Sequence, residues 1–96
     1  MDLKNLLEQK REEILKIAAT HGASNVRIFG SVARGDADEK SDIDILVAFE
    51  STASLFDHAA LMLDHEALFG CKVDVVNEKG LRPRIKEIVL RDAQQL

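Results

Sequence analysis

The sequence predicts a two-layer α+β fold: a small mixed sheet of three strands with helices packed mainly on one face. Three observations carry this. Apolar stripes of helical period alternate with short β-rich runs in the order α-β-(α)-β-α-β-α, and no internal repeat or linker interrupts them. Ninety-six residues leave room for one core, so residues 1–96 read as a single domain. Apolar residues make up 46% and charged ones 31%, which excludes a chain too polar to offset its ordering entropy.

Asp2 is placed to cap a first helix running to about Thr20. Leu3, Leu6, Leu7, Ile14, Ile17 and Ala18 form its apolar stripe, and Gly22 closes it. Asn25 to Phe29 reads as a strand with Val26 and Ile28 alternating. Gly30-Ser31 breaks that strand, Ser31 to Arg34 forms one helical turn, and Gly35 to Ser41 is polar turn chemistry. Ile43 to Phe49 is the strongest strand signal. A helix from about Ala53 to Phe69 follows, with Leu55, Ala59, Met62, Leu63 and Leu68 as its expected buried side. Lys72 to Val76 is a third strand. Leu81 to Leu96 reads as a last helix, with Pro83 in its first turn and Ile85, Ile88 and Val89 as its apolar face.

Several function classes fall away on composition. The formal net charge is −4, against the basic face that a dedicated nucleic-acid binder needs. No apolar run approaches the length of a membrane span, and the charged start MDLKNLLEQKREE is unlike a signal peptide or anchor. The expected setting is therefore cytoplasmic. Cys71 is the single cysteine, which excludes an internal disulfide, and its apolar neighbours Leu68, Phe69 and Val73 suggest an inert thiol. Trp and Tyr are absent.

The chemistry concentrates in GSVARGDADEKSDIDILVAF, residues 30–49. Asp42 and Asp44 stand two apart at the entry to a strand, so alternation puts both carboxylates on one face, roughly 7 Å apart along the backbone. Ile43, Ile45 and Val47 then point into the core. Two convergent carboxylates suit a pair of divalent cations about 4 Å apart that share phosphate oxygens. An all-oxygen donor set favours Mg²⁺ or Mn²⁺ over Zn²⁺.

Upstream, Gly30 lets the backbone approach a phosphate, while the Ser31 hydroxyl and the N–H groups of the following turn can hold the β- and γ-phosphates of a nucleoside triphosphate. Arg34 is one turn further on and adds charge-assisted contacts. Asp74 breaks the β-rich run KVDVV, with Val73 and Val75 facing inward, and such local violations often mark functional sites. If its strand pairs beside that of Asp42 and Asp44, the three acids form one cluster. Taken singly, Asp-x-Asp and Gly-Ser are weak signals. Gly-Ser, ten residues, then Asp-x-Asp arises by chance in about one chain per thousand of this size.

Other chemical residues have plainer explanations. His58 and His65 share a helix face without a carboxylate placed for Zn²⁺, and His21 stands apart. Asp36, Asp38 and Glu39 read as solvated loop acids. Arg82, Arg84, Lys86 and Arg91 read as a solvated helix face, and the four phenylalanines as core.

Gly30, Ser31, Asp42 and Asp44 match the GSx10DxD signature of the polymerase-β-like nucleotidyltransferase superfamily, with no departure from it. The whole chain, from the leading helix through VDVV to LRPRIKEIVLRDA, resembles its smallest branch, the minimal nucleotidyltransferases. The resemblance implies the polymerase-β-like fold, two Mg²⁺ ions on Asp42, Asp44 and Asp74, and ATP as substrate. It also implies a triphosphate gripped by Gly30 and Ser31, with Asp74 helping to deprotonate the acceptor hydroxyl. Members of this branch are commonly paired with a HEPN-domain toxin, which they neutralise by AMPylating a tyrosine. With no Tyr in this chain, a tyrosine acceptor must lie on another molecule. Self-association is a further expectation, since so small a domain leaves its active face poorly covered. Neutralisation by binding alone, and transfer to a small molecule, are the alternatives.

Overall fold

The computed structural model of the protein describes residues 3–38 and 41–96. Helices α1 (Leu3–Gln9) and α2 (Arg11–Thr20) lead into strand β1 (Ala23–Phe29) and the one-turn helix α3 (Gly30–Arg34). Strand β2 (Ile43–Phe49), helix α4 (Leu55–Phe69) and strand β3 (Val73–Asn77) follow. A 3-10 turn (Glu78–Gly80), helix α5 (Pro83–Asp92) and strand β4 (Gln94–Gln95) complete the order. The sheet runs β3-β2-β1-β4. β2 pairs with β3 in parallel, and β1 is antiparallel to both β2 and β4. α4 is the crossover that a parallel pair requires.

The mixed sheet is as expected, but it has four strands rather than three. The last helix stops at Asp92 instead of reaching Leu96. Gln95 and Gln94 pair with Arg27 and Ile28, and the Leu96 N–H donates to the Val26 carbonyl at 3.2 Å. Nothing in this stretch breaks a helix by composition. The unpaired edge of β1 captures it, because backbone groups left without partners are costly. The first helix also divides. Lys10 adopts φ −99° and ψ 14°, yet Lys10 N–H reaches Leu6 and Ile14 N–H reaches Lys10, so the break is a bend. The Asp2 cap lies outside the described residues, as does Glu39.

Leu7, Ile14 and Ala18 of α1 and α2 pack with Leu61 of α4 on the sheet face bearing Ile43, Ile45 and Val47, all fully buried. The buried side of α4 only partly matches the expected one: Met62 and Leu68 do pack on the core, but the stripe is turned. Leu61 and His65 are inside, whereas Leu55 and Leu63 are exposed. The true stripe is His58, Leu61, Met62, His65 and Leu68, and two histidines in it disguise a regular helical spacing. α4 starts at a Ser54–Asp57 capping box rather than at Ala53. Phe49 is core and Phe29 and Phe69 are half-buried, but Phe56 is 86% exposed.

The opposite sheet face carries fewer covering elements. Leu46 is nonetheless fully buried there, and Arg27, which stands in register with it, is buried too. α5 lies against α3 and β1 but contains no buried residue, and Ile85 and Ile88 of its expected apolar face are exposed.

Candidate active site

Asp44 is the centre of one cross-strand row. It stands opposite Phe29 on β1 and opposite Asp74 on β3, so Asp44 and Asp74 project from the same face. Asp42 is exposed immediately ahead of β2. Partial burial pushes the Asp44 carboxyl from its ordinary value of 3.8 up to about 6. The negative charge of Asp74, then that of Asp42, and hydrogen bonding by Asp74 push it the same way, while the Arg34 cation pulls it back. The charges of Asp74 and Asp42 thus both bear on Asp44.

The Gly-Ser turn touches this row directly. Gly30 has φ +71°, a conformation that side chains resist, and a Cβ built on it would collide with Oδ2 of Asp44. Ser31 follows at the start of α3, half-buried, and Gly35 at φ 82° closes the turn. Arg34 is near enough for its charge to reach Asp44, but its guanidinium is already engaged. Its Nε donates to Asp36 at 3.4 Å and its Nη1 to Asp92 at 3.1 Å. Asp92 had no signal in the sequence, since it lies far away in the chain on another helix.

Among the described residues, no group of three or more His, Cys, Asp or Glu side chains converges into a metal cage. The donors that do approach are carboxylates, and Asp44 is raised first by burial and then by the neighbouring charges of Asp74 and Asp42, a crowding that a cation would relieve. That fits a hard divalent ion held by one or two carboxylates and completed by substrate phosphates, and it does not fit a Zn²⁺ site.

The remaining candidates have structural partners. The His58 ring meets the Val75 carbonyl at 2.7 Å and stacks on Phe49, and His21 pairs with Asp64 at 2.7 Å. His65 is buried in the core against the Ile14 carbonyl. Burial raises the Cys71 thiol, keeping it protonated and inert. A cavity of about 290 Å³, bordered by Phe49, Ser54, His58, Asn77 and Lys79, lies at the far ends of β2 and β3. The acidic row lies toward the other end of these two strands, away from that concavity. Sequence reading also missed Arg27, which is 6% exposed, donates to the Asn25 carbonyl at 3.0 Å and pairs with Glu78 at 3.3 Å. A charge alternating with Val26 and Ile28 was its only trace.

A family model described as a nucleotidyltransferase domain matches residues 8–96. The chain is 40% identical over 89 residues to the protein adenylyltransferase MntA of Thermococcus cleftensis, covering 84% of this chain and 90% of that protein. It is also 40% identical over 89 residues to a Methanocaldococcus jannaschii protein provisionally named a protein adenylyltransferase, covering 93% and 95%. A solved structure described provisionally as a minimal nucleotidyltransferase superposes with a TM-score of 0.90 at 54% identity, covering 100% of this chain and 97% of the other. A toxin–antitoxin crystal structure with AMP-PNP shares the fold at a TM-score of 0.76 and 22% identity, covering 88% and 69%.

Proposed function

Since the chain belongs to the nucleotidyltransferase domain family, we propose that it transfers AMP from ATP to a hydroxyl of a partner protein, and that it serves as the antitoxin of that partner. The observation that carries this reading is the Asp44–Asp74 row with Gly30 packed on it. Relatives named protein adenylyltransferases support the reaction, and a toxin–antitoxin assembly of the same fold supports the kind of partner. The partner we infer is a HEPN toxin, modified on a tyrosine. This chain holds no Tyr, so that acceptor would be met in trans. No helix among the described residues is long and apolar enough to cross a membrane.

In this reading Asp42, Asp44 and Asp74 would hold two Mg²⁺ ions, which when bound would supply positive charge to offset the triphosphate and the leaving group. Gly30, through its backbone, and Ser31, through its hydroxyl, grip the β- and γ-phosphates, with Arg34 adding a cation. Asp74 accepts the proton of the incoming hydroxyl. The acceptor oxygen bonds to the α-phosphorus, the bond to the β-phosphate bridge breaks, and pyrophosphate leaves with that electron pair. Asp44 is half-buried while Asp42 and Asp74 are exposed, so substrate can reach all three acids from solvent.

The test is intact-mass analysis of the partner toxin after incubation with this chain, ATP and Mg²⁺. A gain of one or more AMP units, absent with Asp42→Asn, is the expected result. A second reading, neutralisation by binding alone, is favoured by the exposed apolar residues of α5. Toxin neutralisation that survives Asp42→Asn/Asp44→Asn would select it and overturn the first.

A further inference from the structure

Arg34 belongs to the same short helix as Ser31, and its charge reaches Asp44, so it stands beside the place assigned to the triphosphate. Yet two of its three nitrogens are already committed to carboxylates. The Asp36 contact is the looser, at 3.4 Å, and Asp36 is a near neighbour in an exposed loop. The Asp92 contact is shorter, at 3.1 Å, and Asp92 is the less exposed acid of the two. Asp92 ends α5, a helix with no buried residue. At this end, α5 is joined to α3 by the Arg34–Asp92 pair and, just beyond, by Gln94 Nε2 donating to the Ala33 carbonyl at 3.1 Å.

We propose that Asp92 is an internal rival of the triphosphate for Arg34, so that nucleotide binding releases the C-terminal turn of α5. The inference rests on the reading that Arg34 binds phosphate. A guanidinium holds anions by directional N–H donors, and one whose Nη1 faces a carboxylate cannot offer that edge to a phosphate as well. Phosphate oxygens that take this edge displace Asp92 and leave its carboxylate to solvent. α5 then keeps its packing on β1, and the chain beyond it keeps the Gln94 contact and the pairing of β4 with β1. Asp92 is in this sense a positioning residue, acting on nucleotide only through Arg34.

Isothermal titration with Mg²⁺ and AMP-PNP on the intact chain, using Arg34→Ala, Asp92→Asn and the double variant, separates the outcomes. Arg34→Ala should bind more weakly. Asp92→Asn should bind about two- to five-fold more tightly, the range of a partly exposed ion pair. In the Arg34→Ala background, Asp92→Asn should add nothing. Tightening that persists there would mark a general charge effect and overturn the rivalry, as would unchanged or weaker binding by Asp92→Asn alone. Full affinity in Arg34→Ala would instead sink the phosphate reading of Arg34, and the rivalry with it. Hydrogen exchange of the unmodified protein gives a second readout, independent of whether the variants fold. The amides of Leu90 to Ala93 should exchange faster with AMP-PNP bound, and protection there would reject the proposal.

Discussion

Gly30 and Asp44 share one space: the carboxylate of Asp44 occupies the volume that a side chain on residue 30 would need. The backbone at Gly30 is also left-handed, at φ +71°. Gly30→Ala therefore meets two penalties, a strained φ and a displaced carboxylate. The strain alone costs on the order of 1–2 kcal/mol. We expect a lower melting temperature and a loss of kcat/KM of at least about 100-fold, as a misplaced catalytic group produces. An active Gly30→Ala enzyme would show that Asp44 has room to move.

Asp44 sets a trade between stability and activity. Its folded pKa of about 6 lies above the ordinary 3.8, so between those values the folded chain holds this proton more tightly than the unfolded one. The contribution of this group is greatest below pH 3.8 and is lost as pH rises through 6. The shift corresponds to at most ~3 kcal/mol, and solvent screening reduces it to about 1–2 kcal/mol. Asp44→Asn should thus melt several degrees higher than the unmodified chain at pH 7.5 while losing transferase activity. The two melting curves should converge toward pH 4, and equal stability at pH 7.5 would count against this account.

His65 works in the other direction. Its Nε2 faces the Ile14 carbonyl at 3.4 Å, its buried Nδ1 has no partner among the described residues, and burial holds the ring's pKa below its ordinary 6.5. The neutral ring contributes stability that is present above pH 6.5 and lost as pH falls toward the depressed value. In the unmodified protein this loss overlaps the gain from Asp44 and partly hides it. His65→Leu should remove the acid-side loss, which urea midpoints measured from pH 7.5 to 4.5 would reveal. A variant with the same pH slope as the parent would assign that slope elsewhere.

The Arg27–Glu78 pair is asymmetric, with the arginine buried and the glutamate partly solvated. Arg27 holds Glu78 below the usual carboxylate range, so the pair's stabilisation is present at neutral pH and lost as Glu78 protonates. Glu78→Gln leaves a buried cation short of its counter-charge, and we expect it to destabilise by about 1–2 kcal/mol, below the range for fully buried pairs because Glu78 meets solvent. Arg27→Met leaves a carboxylate that water can solvate, so it should destabilise less. Denaturant titrations of the two variants test the order, and the reverse ranking would mean the guanidinium matters chiefly through packing.

Much of the site was legible in the chain because its parts are local. Gly30, Ser31, Asp42 and Asp44 lie within one strand–turn–strand unit, and a period of two explains why the acids are two apart. Asp74 was legible as a polar break in an apolar strand. Its meeting with Asp44 depended on β3 pairing beside β2, which no local pattern specifies. The buried side of α4 was partly misread because His58 and His65, polar by type, sit where Val75 and Ile14 offer carbonyls.

What the sequence by itself determined was the order of elements, the inward-facing apolar row of β2 and the Gly-Ser and Asp-x-Asp chemistry. These follow from backbone period and residue type, which act over a few residues. Tertiary structure alone decided the fourth strand, the burial of Arg27 beneath Glu78 and the engagement of Arg34 by Asp92. Each depends on groups far apart in the chain: an unpaired strand edge captures the last residues, and charges find partners only after the sheet has formed. The same long-range pairing brings Asp74 beside Asp44, whose carboxyl is raised first by burial and then by that neighbouring charge.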